Sequence, residues 1–279
     1  MIIDMRLRPP ARGWRDSKQF TAKGYYPTRM GMPRARSAEE RSMELLFREM
    51  DEAGVVLGVI MGRISPGTQG VVPNDDIAAI AAEHPRRFVW FAGVELGDPQ
   101  AGLAEIERTR GILGCKGISI EPAAAAEPMW PDDQRIAPLY RRCAELGLPV
   151  SISASTMIGR DTALADPAPV HRVARTFPGL RIVLSHACWP HVMSAIGVAF
   201  ACPNVYLSPD LYMNHRYMPG AVEFINAANL FMPDRLLWGS AYPSRPLKES
   251  VEAFSQWAFE PGVKERVLYH NAARLLGLE

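Results

Sequence analysis

Little in this 279-residue chain points toward a membrane, a nucleic acid or an oxidising compartment. No apolar run reaches the roughly 20 residues that span a bilayer, and Met1-Ile2-Ile3 opens a strand interrupted by Asp4 rather than a leader peptide. Only four cysteines occur, Cys115, Cys143, Cys188 and Cys202, widely spaced and without a C-x-x-C pair. That argues against a disulfide framework or a zinc ribbon and suits buried thiols in the cytoplasm. Net charge is only +1, so no global basic surface invites nucleic acid. No Gly-rich dinucleotide turn follows the first strand, and no repeat, linker or low-complexity segment divides the chain. What remains is an ordinary globular composition, 48% hydrophobic and 22% charged, long enough for a substantial core.

Short apolar, β-branched runs alternate with helical patterns. The predicted strands are 2–7, 55–61, 88–94, 115–120, 149–154, 181–185, 204–208 and 235–239. Ser37-Ala38-Glu39-Glu40 reads as a capping box, followed by Met43, Leu46, Phe47 and Met50 at helical spacing and a stop at Gly54. Asn74-Asp75-Asp76 opens a second helix, which ends near His84-Pro85, and Asp98-Pro99 opens a third. A fourth is expected over 133–146 and a fifth over 167–176. Three more follow around Pro190, Pro219 and Pro246, and a last amphipathic one over 263–276. Eight strand–helix units in series imply parallel strands joined by right-handed crossovers. In this length they make a (β/α)8 TIM barrel, one α/β domain over 1–279 with a long first βα loop and an extra C-terminal helix.

A barrel places its active site at the C-terminal ends of the strands. That rule selects Arg6 and Arg8, Arg63, Glu95, Glu121, Ser153 and Ser155, His186, Trp189 and His191, then Asp210, Tyr212, Asn214 and His215, and lastly Ser240, Tyr242 and Arg245. Arg6 and Arg8 occupy alternate strand positions and so are expected to enter one site together. The first loop, 9–36, is long enough for a lid. From Met5 to Arg36 it and its flanks carry nine basic residues, among them Lys18, Arg29 and Arg34, against a single Asp16. With Trp14, Phe20, Tyr25 and Tyr26 this suits a cover over an anionic, partly planar ligand.

Three motifs carry a family resemblance. Phe177-Pro178-Gly179-Leu180-Arg181-Ile182-Val183-Leu184-Ser185-His186 resembles the sixth-strand signature of the amidohydrolase-related branch of the amidohydrolase superfamily. Asp234 to Pro243, with Gly239-Ser240-Ala241-Tyr242-Pro243, resembles that branch's eighth-strand G-S-D-Y-P motif, and Asn271 to Leu278 its C-terminal helix. The resemblance implies a divalent metal held by H-x-H on the first strand, His on the fifth and sixth, and Asp on the eighth. In this sequence those positions carry Arg6 and Arg8, Ser153, His186 and Ala241. One imidazole and one serine do not make a zinc site. No catalytic metal and no other cofactor is expected, the alternative being a new site built from His186, His191 and Asp210.

Two arginines restore roughly the charge that a metal supplies and can clamp a carboxylate. The competing reading pairs them internally with Glu121 or Asp210. His186 is the candidate acid or base, with Ser153 a candidate nucleophile beside it, and Asp210 completes the expected catalytic set with Arg6 and Arg8. Arg63, Glu121, Trp189, His191, Tyr212, Ser240, Tyr242 and Arg245 are the expected substrate contacts. The leading expectation is a metal-independent hydrolase of a small carboxylated substrate such as a lactone or a cyclic or acyl compound. A decarboxylase or other lyase of the same superfamily is the alternative, and a non-catalytic anion-binding barrel is the alternative from another class. The resemblance also leads one to expect a homodimer.

Overall fold

The computed structural model describes residues 1–22 and 31–279. Its strands are β1 (Ile2–Leu7), β2 (Val55–Met61), β3 (Arg63–Ser65), β4 (Gly70–Val72), β5 (Phe88–Gly93), β6 (Gly117–Ile120), β7 (Val150–Ser153), β8 (Ile182–Ser185) and β9 (Val205–Ser208). Seven of them form one parallel sheet in the order β1-β2-β5-β6-β7-β8-β9. The expected strand at 235–239 takes the eighth place without becoming a regular strand. It joins β9 by a single parallel bridge, Leu207 to Leu236, and Met5 N–H donates to the Trp238 carbonyl at 3.0 Å, which closes the sheet on β1. Beyond Trp238 the seam is held by a side chain: Asp4 accepts from Ser240 N–H at 2.9 Å and from the Ser240 hydroxyl. A side-chain acceptor therefore replaces ladder bonds where the eighth strand was expected to run. The result is a curled barrel of the TIM type.

Helices follow the strands, and their bounds show what sets them. Met43–Ala53 stops at Gly54, whose φ of 72° no branched residue adopts cheaply. Its cap is Ser42, which accepts from Leu45 N–H, and not Ser37. The Ser37 amide and hydroxyl are both taken by Glu49, so Ser37 heads only the short turn Arg36–Glu39. Asp98 caps Pro99–Gly111 through Gln100 and Ala101 N–H. The fourth helix begins at Ala137 instead of 133, because Asp133 folds back onto the Arg135 amide and guanidinium. Ala168–Thr176, Val192–Ala201, Ala221–Leu230 and Leu247–Ser255 follow, and the chain stays helical from Val263 through a π-type stretch at Arg266–His270 to Leu276. Among the described residues no helix is long and apolar enough to cross a membrane.

Two features were not foreseen. The antiparallel hairpin β3–β4 projects directly after β2. In β1 strict alternation fails, since the register against β2 shifts between Asp4 and Leu7. Met5 packs with Val59, Met61 and Phe91, yet its neighbour Arg6 also turns into the barrel. The apolar faces of the helices bury the outer side of the sheet in one large cluster that includes Ile60, Trp90, Ile118, Ile152 and Leu184. A second cluster seats the C-terminal helix, through Ala272, Ala273 and Leu275, against Ile3, Val183 and Leu237.

Candidate active site

Arg6 is fully buried and largely spent on the protein. Its Nη2 donates to Glu121 Oε1 at 3.1 Å and to Ser153 Oγ at 3.0 Å, and its Nε lies 3.6 Å from Asp210 Oδ2. The internal-pairing reading therefore describes Arg6. Glu121, at the end of β6, also receives Arg63 Nη2 at 3.2 Å and the Ser65 hydroxyl at 2.6 Å. Burial alone would push its carboxyl up, but Arg63 and Arg6 overcome that and hold it at about 2. Arg8 and Arg63 occupy a different position. Their guanidiniums lie over the Trp14 ring at 5.7 and 5.2 Å. Trp14 is thus a buried floor beneath two cations and not part of a cover over a ligand. Arg8 also reaches the Tyr242 carbonyl at 3.5 Å.

His186 begins a turn in which His186, Ala187 and Cys188 all have positive φ, 64°, 43° and 56°. Three consecutive left-handed residues without a glycine are strained, and they aim the imidazole across the strand ends. Its Nδ1 lies 3.1 Å from Asp210 Oδ2, off the line a ring N–H needs for a hydrogen bond. Asp210 is fixed independently, accepting from the Ser208 hydroxyl at 2.6 Å and from His186 N–H at 3.2 Å. Burial, then Arg6, Arg8 and Arg63, depress the imidazole far below its usual range, so it is neutral. Burial raises the Asp210 carboxyl, with Arg6 opposing. The two groups' proton affinities are driven toward each other.

A cavity of about 50 Å³ opens among these groups, lined by Arg8, Gln19, Arg63, Gln69, Ser155, Met157, Ile158, His186 and Ala241. It holds about four water-sized groups. Arg63 Nε and Nη1 find no partner among the described residues, and an unmet buried donor is costly. Gln19, Gln69, Met157 and Ile158 were missed by the sequence reading. Gln19 sits in the long loop, where only aromatic and basic residues drew notice, and Gln69 lies in the unforeseen hairpin.

Other expected contacts stand farther back. Ser153 Oγ serves Arg6 and makes no hydrogen bond to His186, so the nucleophile–base pair is not formed. Tyr212 meets the His186 ring edge-on at 5.9 Å and stacks on Trp189 at 5.0 Å, supporting the imidazole from behind. His191 is exposed at the start of its helix, outside the cavity. Ser240 is engaged by Asp4, and the Tyr242 hydroxyl lies 2.7 Å from Ser37 Oγ within the packed interior. Arg245 donates to the Asn214 carbonyl. Tyr25, Tyr26 and Arg29 lie outside the described residues.

The positions where the family resemblance implies metal ligands do not fit a cation. Arg6 and Arg8 bring positive charge, Ser153 is committed to Arg6, and Ala241 has no donor. Among the described residues no three His, Cys, Asp or Glu side chains are grouped to hold a metal. His186 and Asp210 alone are too few ligands, and His191 is too far out to make a third.

Among solved structures, an uncharacterized TIM-barrel protein from Bordetella bronchiseptica is 40% identical, with a TM-score of 0.94 over 99% of this chain and 98% of that one. The 2-amino-3-carboxymuconate-6-semialdehyde decarboxylase of Dictyostelium discoideum is 25% identical over 242 residues, which are 74% of this chain but only 66% of that enzyme. The gamma-resorcylate decarboxylase of a Polaromonas species is 21% identical over 305 residues, 91% of this chain and 93% of the enzyme. The Amidohydrolase family itself matches residues 3–278. With the barrel, the sixth-strand His186 and the Gly239–Pro243 segment all in their places, the chain belongs to the amidohydrolase family.

Proposed function

We propose that this chain is a metal-independent decarboxylase acting on a small organic acid. The observation that carries the reading is the pair of cavity-facing guanidiniums, Arg8 and Arg63, above Trp14, with two donors of Arg63 unmet by the protein. Such donors suit an anion. Decarboxylation is favoured over hydrolysis because both curated relatives are decarboxylases. In addition, the serine that hydrolysis could use as nucleophile is held by Arg6.

The chemistry asked of the chain is modest. The carbon–carboxylate bond breaks, its electron pair stays on carbon, and carbon dioxide departs. Arg8 and Arg63 orient the acid and stabilise charge that spreads onto a conjugated oxygen. Asp210, whose carboxyl burial raises, holds the proton that the carbon takes up, the neutral His186 imidazole relays it, and solvent restores it. Arg6 and Glu121 keep this pair and Arg63 in place.

The test is a panel of small hydroxy, oxo and aromatic acids and lactones, assayed with and without chelator, with product mass and metal content measured. Loss of carbon dioxide at metal-free protein supports the proposal. Gain of water would show a hydrolase. Stoichiometric divalent metal, or activity lost to chelator, would overturn metal independence.

A further inference from the structure

The cavity has a second polar wall that the carboxylate does not use. Gln19 is buried, only 2% exposed, and it lines the cavity together with Gln69 and the two arginines. Its backbone carbonyl is pinned by Arg34 Nη2 at 2.8 Å. The orientation of its amide follows from a chain of contacts across three loops. The Met157 carbonyl only accepts, so Gln69 must present its NH2 there, at 3.3 Å. Gln69 Oε1 then faces Gln19 and accepts from Nε2 at 3.5 Å. Gln19 Oε1 is left as an acceptor, and no described residue donates to it. Were the Gln19 amide reversed, two carbonyl oxygens would confront each other.

We propose that Gln19 is a specificity-determining residue whose Oε1 accepts a hydrogen bond from a hydroxyl or amino group of the substrate, with Gln69 and the Met157 carbonyl fixing its polarity. The inference rests on the carboxylate-binding reading above and adds the substrate class, a small acid that also carries a donor. An acid with a carbonyl at that place sets oxygen against oxygen and leaves a buried acceptor unmet. The contacts also join the first loop, the β3–β4 turn and the loop after β7. Lys18 Nζ to the Thr68 carbonyl at 2.8 Å and Thr68 Oγ1 to the Ile158 carbonyl at 2.7 Å reinforce the same junction.

L-lactate and pyruvate, which differ at that single group, are the probes, with dissociation constants measured by ligand-observed NMR or calorimetry. Lactate should bind about tenfold more tightly to the unaltered protein. Gln19→Met should abolish that preference while keeping pyruvate affinity. Gln69→Met, which releases the Gln19 amide to turn over, should do the same from one residue away. Arg63→Met should weaken both acids alike. Equal binding of the two probes, or a preference untouched by Gln19→Met, overturns the role of Gln19 and leaves the arginine site standing. Failure of both acids to bind overturns the arginine site as well.

Discussion

Replacing Glu121 by Gln tests whether the interior of this site is an electrostatic balance. The carboxylate meets Arg6 at 3.1 Å and Arg63 at 3.2 Å while only 3% exposed. Burial works against its charge, and the two guanidiniums bring it from the ordinary 4.5 down to about 2. At about 1.4 kcal/mol per tenfold change in proton affinity, this interaction contributes about 3 kcal/mol to folding. The same figure falls at the lower end of what breaking a buried ion pair costs, about 3–5 kcal/mol. A depressed carboxyl gives its full contribution above about 4.5 and loses it as pH falls through about 2. With an unfolding entropy near 2.1 cal/mol/K per residue, about 0.6 kcal/mol/K for the chain, Glu121→Gln should lower Tm by about 5 °C at pH 7. Calorimetry at pH 7 and through the acid range would show the gap narrowing below about pH 4. The variant also removes the carboxylate charge that competes for Arg63 and should bind a small carboxylate more tightly. Equal Tm at pH 7, or a gap that widens in acid, would refute the reasoning.

His186→Asn should remove turnover while leaving acid binding within about twofold, and the unaltered enzyme's rate should show no titration near 6.5, since the imidazole is held neutral; a rate limb at that pH would contradict this. Trp14→Ala removes the floor beneath Arg8 and Arg63 and should cost about 3–5 kcal/mol in denaturant titrations, with weaker acid binding. Asp4 is raised by burial to about 6 despite its donors, so its contribution to stability, full below about 3.8, is lost as pH rises through about 6. Asp4→Asn should flatten that part of the Tm–pH curve, and an unchanged slope would rule the assignment out. Combining Arg6→His, Arg8→His, Ser153→His and Ala241→Asp should create zinc or manganese binding detectable by metal analysis, while the unaltered chain takes up neither. The left-handed φ of 55° at Ala241 is one that Asp tolerates.

The strand series was legible because each barrel strand buries both faces and shows as an apolar run, and Gly54 and Asp98 marked helix ends by their backbone chemistry. The hairpin at Arg63–Ser65 and Gly70–Val72 was not, since three-residue strands are shorter than any periodicity can register. Charge also misled at Ser37, whose box-like spacing to Glu40 concealed a stronger tie to Glu49. Within the site, Arg6, Glu121, His186 and Asp210 were found by their places at strand ends. What each does there depended on distances: Arg6 is shared between Glu121, Ser153 and Asp210 behind the cavity, whereas Arg63 gives only Nη2 to Glu121 and lines the cavity. Gln19 and Gln69 gave no signal because an amide becomes informative only when its neighbours decide which end it shows.

The arginines at the head of β1 have one further consequence. A metal site is an equilibrium with its surroundings, open to loss, to chelation and to seizure by whichever divalent ion binds most strongly. Guanidinium charge is part of the polypeptide itself. It cannot be exchanged or mis-loaded, and no delivery system has to supply it. Every copy of the chain that folds has its positive centre from the moment β1 docks.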